Sequence, residues 1–437
     1  MKVLTKFILN DWCFLIAGAK RGAIYDLKRG LVFSIDEKSL SLLAKCENGH
    51  SIYENLNKDK KEIINSILLY FKKLEENELG KFINKIQKSN KISIQRPRRL
   101  ELVWLEITGR CNLNCIHCYM NGETQHLTQP EKMTKKNWIE IMRKIYTMDC
   151  QKLQFIGGEV FLNKDLFDLV LEGRKIGYKS IEIYTNATLL NNQGINFLSK
   201  NNVSVAVSIY GMNNQIHDKI TKVNGSFEKS IVNLRKMISE GINVRVGIIG
   251  MSVNEKFLNE TVKFLKDEIG VKRIKIDMVR PIGRGTSSDL SPKTLLNKKS
   301  LNKPEFAKCS LERFQRALYG NNCFLRHICI SHDGNVFPCI MEREITLGNV
   351  LKESIEVIIN NPFTEKIMRL NKDKIEVCKD CEYRYCCFDC RPKVKNSSNG
   401  NLYAKPPDCN YNPYTGKWNF RNRKINFANN DIFEDVN

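Results

Sequence analysis

Three cysteines lie in one short loop of the 437-residue chain. Cys111, Cys115 and Cys118 have the spacing C-x3-C-x2-C and follow an apolar segment, Leu102 to Ile107. Three thiolates on one loop can hold three corners of a cubane iron–sulfur cluster and leave its fourth iron open to another ligand. Structural zinc sites are usually closed by four protein ligands. The spacing therefore favours a cluster over zinc, with three unrelated thiols as the plain alternative.

A second motif follows further along the chain. The segment Gln154-Phe-Ile-Gly-Gly-Glu159 predicts a short apolar strand that ends in a Gly-Gly-Glu turn. Glycine lets the backbone approach a ligand closely, and a carboxylate can accept charge-assisted hydrogen bonds from an ammonium group. An ordinary turn would show the same triplet, so its position after the cysteine loop is what makes it informative.

Together the two motifs resemble those of radical S-adenosylmethionine (SAM) enzymes. The resemblance implies that Cys111, Cys115 and Cys118 bind a [4Fe–4S] cluster. It also implies that the reduced cluster cleaves SAM, and that the resulting 5'-deoxyadenosyl radical takes a hydrogen atom from the substrate. Because the cofactors supply this chemistry, no acid–base catalytic residue is expected.

The same resemblance assigns contacts to SAM. Gly157, Gly158 and Glu159 correspond to the segment that binds the methionine amino group in this family. His117 takes the position beside the last cysteine that an aromatic residue usually fills.

Apolar and amphipathic segments alternate from residue 102 onward. The predicted strands are 102–107, 152–157, 180–185, 203–209, 243–249 and 273–279, and the predicted helices are 136–148, 165–176, 192–200, 226–240 and 255–268. Such units predict an α/β fold with a parallel sheet and outer helices, which the resemblance narrows to a partial (β/α)6 TIM-like barrel over residues 100–282. Both motifs fall at the C-terminal ends of strands, where such barrels carry out their chemistry. Asn186 and Ser208 fall there too, and each is either a contact to SAM, by resemblance, or a helix cap.

Residues 1–90 are predicted to form a small separate domain. The predicted elements are strands at 14–17, 23–25 and 31–35 and helices from Asp36 and over 58–85. Their order resembles the winged-helix element that binds the leader peptide in peptide-modifying enzymes, and a generic small α+β domain is the alternative. Residues 81–100 carry seven basic and no acidic residues, which suits a surface linker or a groove for an acidic peptide.

A second cysteine series lies in residues 305–425. Its members are Cys323, Cys339, Cys378, Cys381, Cys387, Cys390 and Cys409. The spacing resembles the SPASM extension of radical SAM peptide maturases, including the grasp-with-spasm type, except that the gap from Cys387 to Cys390 is one residue short. Cys386 would restore that gap and shorten the preceding one, whereas the surrounding sequence favours Cys387.

The SPASM resemblance implies two auxiliary [4Fe–4S] clusters, three clusters in all. The implied outer ligands are Cys378, Cys381, Cys387 and Cys409, and the implied inner ligands are Cys323, Cys339 and Cys390. Cys309 or Cys329 could be the fourth inner ligand; without either, one inner iron stays open to a substrate thiolate. A zinc ribbon is the alternative for this series, but it would not explain the first cysteine triplet.

Composition limits the cellular setting. The net charge of +22 could indicate nucleic-acid binding, but the basic residues are scattered, so nucleic acid is disfavoured as a partner. The first residues lack a signal-peptide pattern, and no segment has the roughly 20 apolar residues of a membrane span. Sixteen cysteines in this context favour metal binding in a reducing compartment, so we expect a cytoplasmic protein without a membrane partner. Residues 283–304 lack periodicity and predict a linker.

The family resemblance as a whole implies an enzyme that modifies a ribosomally made precursor peptide. The leader of that peptide would bind residues 1–90, and a flavodoxin- or ferredoxin-type protein would supply electrons. The expected reaction is formation of a thioether between a cysteine sulfur and another residue's carbon. The alternatives are carbon–carbon or carbon–oxygen cross-linking, formylglycine formation in a sulfatase and, outside enzymes, a zinc-ribbon protein that binds nucleic acid.

Overall fold

The computed structural model describes residues 6–53, 61–83, 90–97, 100–120, 131–292 and 308–419. Of the basic residues in the 81–100 stretch, Lys85, Lys88, Arg98 and Arg99 lie outside these ranges. The predicted linker also lies outside them beyond residue 292. No helix in the described ranges combines the length with the apolar character that crossing a membrane requires.

The N-terminal region consists of a three-stranded antiparallel sheet, two helices and a two-stranded ribbon. Its elements are β1 (Lys6–Leu9), β2 (Cys13–Ala17), β3 (Gly22–Asp26), β4 (Leu31–Ile35), α1 (Glu37–Glu47), α2 (Lys61–Glu76) and β5 (Gly80–Ile83). Strands β2, β3 and β4 form the sheet, and β1 pairs with β5 in the ribbon. The Asp36 side chain accepts a hydrogen bond from the Ser39 amide and so caps α1, as its position predicts. The ribbon is not predicted from the sequence, and its strand β5 occupies residues that were expected to continue α2.

Six neighbouring parallel strands form the centre of the fold. They are β6 (Leu102–Glu106), β7 (Lys152–Ile156), β8 (Ser180–Thr185), β9 (Ser204–Ser208), β10 (Val244–Gly250) and β11 (Arg273–Met278). Each lies beside its neighbour in the chain. Val205, Ala206 and Val207 are all fully buried, as expected for a parallel strand that is covered on both faces. The predicted α/β fold with a parallel sheet is confirmed.

Helices connect these strands. They are α3 (Lys135–Thr147), α4 (Leu166–Ile176), α5 (Asn192–Lys200), α6 (Asn214–Thr221), α7 (Ser226–Ser239) and α8 (Leu258–Lys263). Thr134 and Asn137 form a reciprocal capping box at the start of α3. The helix predicted over 255–268 is divided into a 3-10 turn, α8 and a π-helical turn. Helix α6 is absent from the sequence-based prediction.

The C-terminal region extends the same sheet. Its elements are α9 (Leu311–Tyr319), β12 (His327–Ile330), β13 (Asn335–Phe337), β14 (Gly348–Asn349), α10 (Ile355–Asn360), α11 (Pro362–Met368), α12 (Arg391–Asn396), β15 (Tyr411–Asn412) and β16 (Lys417–Trp418). Strand β12 pairs in parallel with β6, and β13 and β14 follow in antiparallel pairing. The cysteine-rich region is therefore continuous with the parallel sheet.

The N-terminal sheet packs against the C-terminal region. The Tyr25 ring on β3 lies 5.3 Å from the Phe314 ring, centroid to centroid. The Tyr25 hydroxyl donates a hydrogen bond to the Glu382 carbonyl oxygen at 2.9 Å. The Arg384 guanidinium donates to the Ala17 carbonyl oxygen at 2.7 Å. Residues 6–53 are thus connected to the loop that carries four of the C-terminal cysteines, Cys381, Cys386, Cys387 and Cys390.

Candidate functional site

The cysteine loop and the Gly-Gly-Glu turn lie side by side at the C-terminal ends of β6 and β7. The Gly158 amide donates to the Thr108 carbonyl oxygen at 3.0 Å, and the Glu159 amide donates to the Arg110 carbonyl oxygen at 2.8 Å. A Cβ atom on Gly157 would lie 2.5 Å from the Thr108 carbonyl oxygen, and one on Gly158 would overlap with that of Arg110. Only glycine permits this close approach of the two backbones.

Helix α6 also holds the cysteine loop. The amides of Asn114 and Ile116 each donate at 3.0 Å to carbonyl oxygens at the end of α6, those of Thr221 and Ile220. Helix α6 is thus a functional element that the sequence-based prediction missed. Its signals were present, because Asn213 is a good N-cap residue and Ile216 and Ile220 have the i, i+4 spacing of a helix face.

Asn186 joins the cysteine loop to the end of β8. Its amide nitrogen Nδ2 donates to Asn112 Oδ1 at 2.9 Å. Its backbone N–H donates to Glu159 Oε2 at 2.8 Å. The alternative that Asn186 and Ser208 cap helices is wrong, because Asn191 and Asn213 cap α5 and α6.

Glu159 carries a fully buried carboxylate. It accepts hydrogen bonds from the Thr185 hydroxyl at 2.6 Å, the Asn186 amide at 2.8 Å and the Phe161 amide at 3.3 Å. No lysine or arginine of the described ranges forms an ion pair with it. Burial raises its pKa to about 7, although the three hydrogen bonds oppose the rise. A buried carboxylate without a cation fits the ammonium group of a ligand.

His117 lies against Tyr210, with ring centroids 4.7 Å apart in an edge-to-face arrangement. Burial lowers the pKa of His117 to about 4, so the imidazole is neutral. Its Nδ1 atom is shielded from solvent and has no hydrogen-bond partner among the described residues. Ser208 interacts with the hydroxyls of Tyr184 and Tyr210. Five of the six residues predicted to contact SAM therefore lie in or beside the cysteine loop. The sixth, Ser208, interacts with Tyr210, which packs against His117 of that loop.

The three thiols of the loop lie within electrostatic range of one another. Burial raises the pKa of Cys111 to about 12 and also raises that of Cys115, and the neighbouring thiols add to both effects. Such thiols keep their protons until a metal displaces them. The set fits a cluster that supplies positive charge at this position.

The C-terminal cysteines form two groups. Cys387 interacts with Cys378 and Cys409, and Cys381 interacts with Cys378 and Cys387. Burial raises the pKa of Cys387 to about 12, while the Lys372 ammonium opposes the rise. These four are the residues expected for the outer cluster.

Cys323, Cys339 and Cys390 form the second group. Cys339 donates a hydrogen bond to Cys323, which lowers the pKa of Cys323 and raises that of Cys339. Arg280, just after β11, acts on all three thiols through its charge. The inner set therefore faces the end of the parallel sheet.

Cys386 and Cys309 belong to neither group. Cys386 Sγ donates to the Tyr383 carbonyl oxygen at 3.3 Å and accepts from the Tyr25 hydroxyl at 3.5 Å. Cys309 Sγ donates to the Tyr385 carbonyl oxygen at 3.5 Å. The structure thus places Cys387, and not Cys386, beside Cys378 and Cys409.

Cys329, the other candidate for a fourth inner ligand, is fully buried on β12. Its thiol interacts with Arg343 and with Glu106 and only more weakly with Cys339. Arg343 in turn forms an ion pair with Glu106. Cys329 therefore belongs to the ion pair at the end of β6 rather than to the three inner cysteines.

No three His, Cys, Asp or Glu side chains in the described ranges come close enough together to surround a single metal ion. A zinc site needs four ligands at one ion, whereas a cubane cluster distributes its thiolates over separate iron atoms.

Comparison with known families agrees with these two sites. Residues 105–265 match the model of the Radical SAM superfamily, and residues 323–382 match that of SPASM, an iron–sulfur cluster-binding domain. The chain belongs to the radical SAM/SPASM enzymes. Both domains imply binding of [4Fe–4S] clusters, and the first implies binding of SAM. The zinc-ribbon alternative is thereby wrong.

Similar proteins cover most of the chain. The antilisterial bacteriocin subtilosin biosynthesis protein AlbA of Bacillus subtilis is 24% identical over 380 residues, which cover 83% of this chain and 82% of AlbA. The sporulation killing factor maturation protein SkfB of the same organism is 25% identical over 273 residues, covering 57% of this chain and 62% of SkfB. The crystal structure of Streptococcus suis SuiB bound to precursor peptide SuiA has the same fold, with a TM-score of 0.57, 14% identity and coverage of 93% of this chain and 100% of SuiB.

Proposed function

We propose that this radical SAM/SPASM enzyme modifies a ribosomally made precursor peptide by linking a cysteine sulfur to another residue's carbon. The observation that carries the proposal is the similarity to AlbA, a bacteriocin biosynthesis protein, over 83% of the chain. SkfB, a maturation protein, and the fold of SuiB, solved with its precursor peptide, support it. The proposed domains are 1–90 for the leader, 100–282 for a (β/α)6 partial barrel and 305–425 for the SPASM domain.

Residues at the ends of β6 to β9 would hold the SAM cluster and SAM. When bound, these cofactors supply a 5'-deoxyadenosyl radical that can take hydrogen from an unactivated carbon. Cys111, Cys115 and Cys118 hold the cluster. The buried Glu159 carboxylate, which has no paired cation among the described residues, binds the methionine ammonium group. The backbone of Gly157 and Gly158 lets the ligand approach.

The other predicted contacts are consistent with the rest of SAM. His117 presents a neutral, solvent-shielded nitrogen that suits an adenine contact. Asn186 and Ser208 would hydrogen-bond the ribose hydroxyls of SAM or donate to its carboxylate. Their fixed partners, Asn112 and Tyr210, keep them oriented before SAM binds.

The C-terminal cysteines would hold two auxiliary clusters, which makes three clusters in the chain. The outer cluster has four ligands, Cys378, Cys381, Cys387 and Cys409. The inner cluster has three, because Cys309 is engaged beside Cys386 and Cys329 beside Arg343. An iron without a protein ligand suits a substrate thiolate, which is the reason for preferring a thioether product.

Thioether formation replaces one C–H and one S–H bond with one C–S bond. One hydrogen atom would leave with 5'-deoxyadenosine and the remaining proton would leave to solvent. An auxiliary cluster held by the C-terminal cysteines would accept the remaining electron, and an external one-electron donor of the flavodoxin or ferredoxin type would supply the SAM cluster. We place the enzyme in the cytoplasm, where free thiols and clusters are kept reduced.

The N-terminal region would bind the leader peptide. Strands β2 and β4 are the edges of its three-stranded sheet, and an edge strand can pair with an extended peptide through backbone hydrogen bonds. We propose that the region is winged-helix-like and that the basic residues of 81–100 assist with an acidic leader.

Spectroscopy of the inner cluster tests the proposal before any chemistry. Adding a substrate peptide with its cysteine should change the electron paramagnetic resonance (EPR) spectrum of that cluster, and the same peptide with serine in place of cysteine should not. If Cys309→Ala or Cys329→Ala removes the inner cluster, four protein ligands are present and the thioether proposal loses its physical support.

A further inference from the structure

The segment after β11 covers the cysteine loop, although its sequence predicts a linker. Gly283 has a φ of +55°, and a Cβ atom there would lie 2.5 Å from the Cys118 carbonyl oxygen and 2.6 Å from that of Tyr119. The Arg284 amide donates to the Cys118 carbonyl oxygen at 2.9 Å. Only glycine fits this left-handed conformation and close approach, so the turn over Gly283–Thr286 is built to lie on the loop.

The Arg284 side chain then returns to the same loop. Its Nη1 donates to Asn114 Oδ1 at 2.6 Å. The Arg284 guanidinium therefore lies beside the loop that carries Cys111, Cys115 and Cys118. One residue thus contacts the loop through its backbone, hydrogen-bonds it through its side chain and places its charge beside it.

We propose that Arg284 is a positioning residue for the SAM cluster, which clamps the cysteine loop and places a permanent positive charge beside it. Reduction adds an electron to the cluster, and a nearby cation stabilises the added negative charge. Net charge and hydrogen bonding are among the factors that set cluster potentials, and arginine stays charged at every accessible pH. Arg284 therefore raises the reduction potential of this cluster. The inference rests on assigning the cluster to Cys111, Cys115 and Cys118.

The test is a potentiometric titration of the fully reconstituted enzyme, followed by EPR. The SAM cluster is identified by the part of the spectrum that changes when SAM is added. We expect Arg284→Gln to shift the midpoint potential of that signal to more negative values. Arg284→Lys, which keeps the charge, should stay closer to the wild-type value. Arg273→Gln, at the other end of β11, is the matched control and should leave the potential unchanged.

The following results decide whether the charge of Arg284 sets the potential of the cluster. A wild-type potential in Arg284→Gln at full iron content overturns the inference. If Arg284→Gln loses the signal, its retention in Arg284→Lys supports a role for the charge, whereas its loss in both variants shows a purely structural role and also overturns the inference. Replacing Cys111, Cys115 and Cys118 together by alanine must abolish the SAM-responsive signal. If the signal persists there, the cluster assignment itself fails.

Discussion

At the residue scale, burial decides the chemistry of the candidate site. Glu159 is removed from water with no cation paired with it among the described residues, and burial also raises the pKa of the Cys111 thiol. The hydrogen bonds of Glu159 fix its position but do not supply a positive charge. We propose that ligands complete the site, iron for the thiolates and an ammonium group for Glu159.

SAM binding should depend on pH through Glu159. Its pKa of about 7 in the folded chain means that the carboxylate is partly protonated at neutral pH, and only the ionised form pairs with an ammonium group. SAM affinity should therefore rise between pH 6 and pH 8, as measured by calorimetry. Glu159→Gln should bind SAM at least about tenfold more weakly, roughly 1.4 kcal/mol, and lose this pH dependence. An unchanged affinity in Glu159→Gln would contradict the role.

Glu159 also determines how the free energy of unfolding should change with pH when SAM is absent. The folded pKa lies above the ordinary value of 4.5, so between the two values the folded state binds more protons than the unfolded state. The contribution of Glu159 to the free energy of unfolding should therefore fall as pH rises through this window and level off above about pH 7. Glu159→Gln should flatten that part of the pH profile in chemical denaturation. A steeper profile in the variant would contradict the assignment of the raised pKa.

Replacing Cys386 and replacing its neighbour Cys387 should have different effects on the iron content of the protein. Cys387→Ala should lose the outer cluster, because Cys387 lies with Cys378 and Cys409. Cys386→Ala should keep that cluster and lose only the two hydrogen bonds of its thiol, about 1–2 kcal/mol of stability. Iron and labile sulfide analysis distinguishes the two. The opposite pattern would mean that the ligand loop is arranged differently from the structure.

At the element scale, the strands were more predictable than the segments that hold the site. The six parallel strands are rich in buried β-branched residues, and their bounds match the sequence-based prediction within a residue. The turn over Gly283–Thr286 is too short for a periodic signal, and helix α6 offers only an N-cap and one i, i+4 apolar pair. Both segments are positioned by hydrogen bonds to residues far away in the chain. The motif residues were recognised from spacing, but the segments that clamp them were not.

A methyl group at Gly158 should disrupt the close contact between the Gly-Gly-Glu turn and the cysteine loop. Gly158→Ala would force the turn away from the Arg110 carbonyl oxygen, so it should destabilise the protein and lower the iron content by about one cluster. Gly241→Ala is a suitable control, because a Cβ atom there meets nothing within 4 Å and the only strain comes from the positive φ of Gly241. It should cost about 1 kcal/mol without loss of iron. Equal effects of the two substitutions on iron content would contradict the close approach.

At the scale of the whole molecule, one face of the N-terminal sheet packs against the C-terminal region. Ala23, Tyr25 and Leu27 share a buried cluster with Phe314 and Tyr385. Such packing between distant segments leaves no local pattern in the sequence, so it was not predicted. A leader peptide bound at this sheet would lie close to the outer-cluster loop, because Tyr25 of the sheet contacts that loop directly.

Deletion of residues 1–90 should therefore do more than remove leader binding. It would expose Phe314 and Tyr385 and remove the Tyr25 hydrogen bonds, so we expect loss of auxiliary iron while the SAM cluster and slow SAM cleavage persist. Tyr25→Phe, which keeps the ring, should cost only about 1 kcal/mol. Lys20→Ala, in an exposed ion pair with Glu37, is the control. Full auxiliary iron in the truncated enzyme would contradict the shared core.

The mass of a peptide product distinguishes thioether formation from the alternative reactions. The enzyme would be co-produced with a cysteine-containing precursor peptide encoded beside it, and the peptide would be treated with iodoacetamide and analysed by tandem mass spectrometry. We expect loss of two hydrogen atoms per cross-link and no alkylation of the linked cysteine, with neither change when Cys111, Cys115 and Cys118 are replaced by alanine. An unmodified peptide, or a peptide that loses hydrogen while every cysteine still alkylates, would contradict thioether formation.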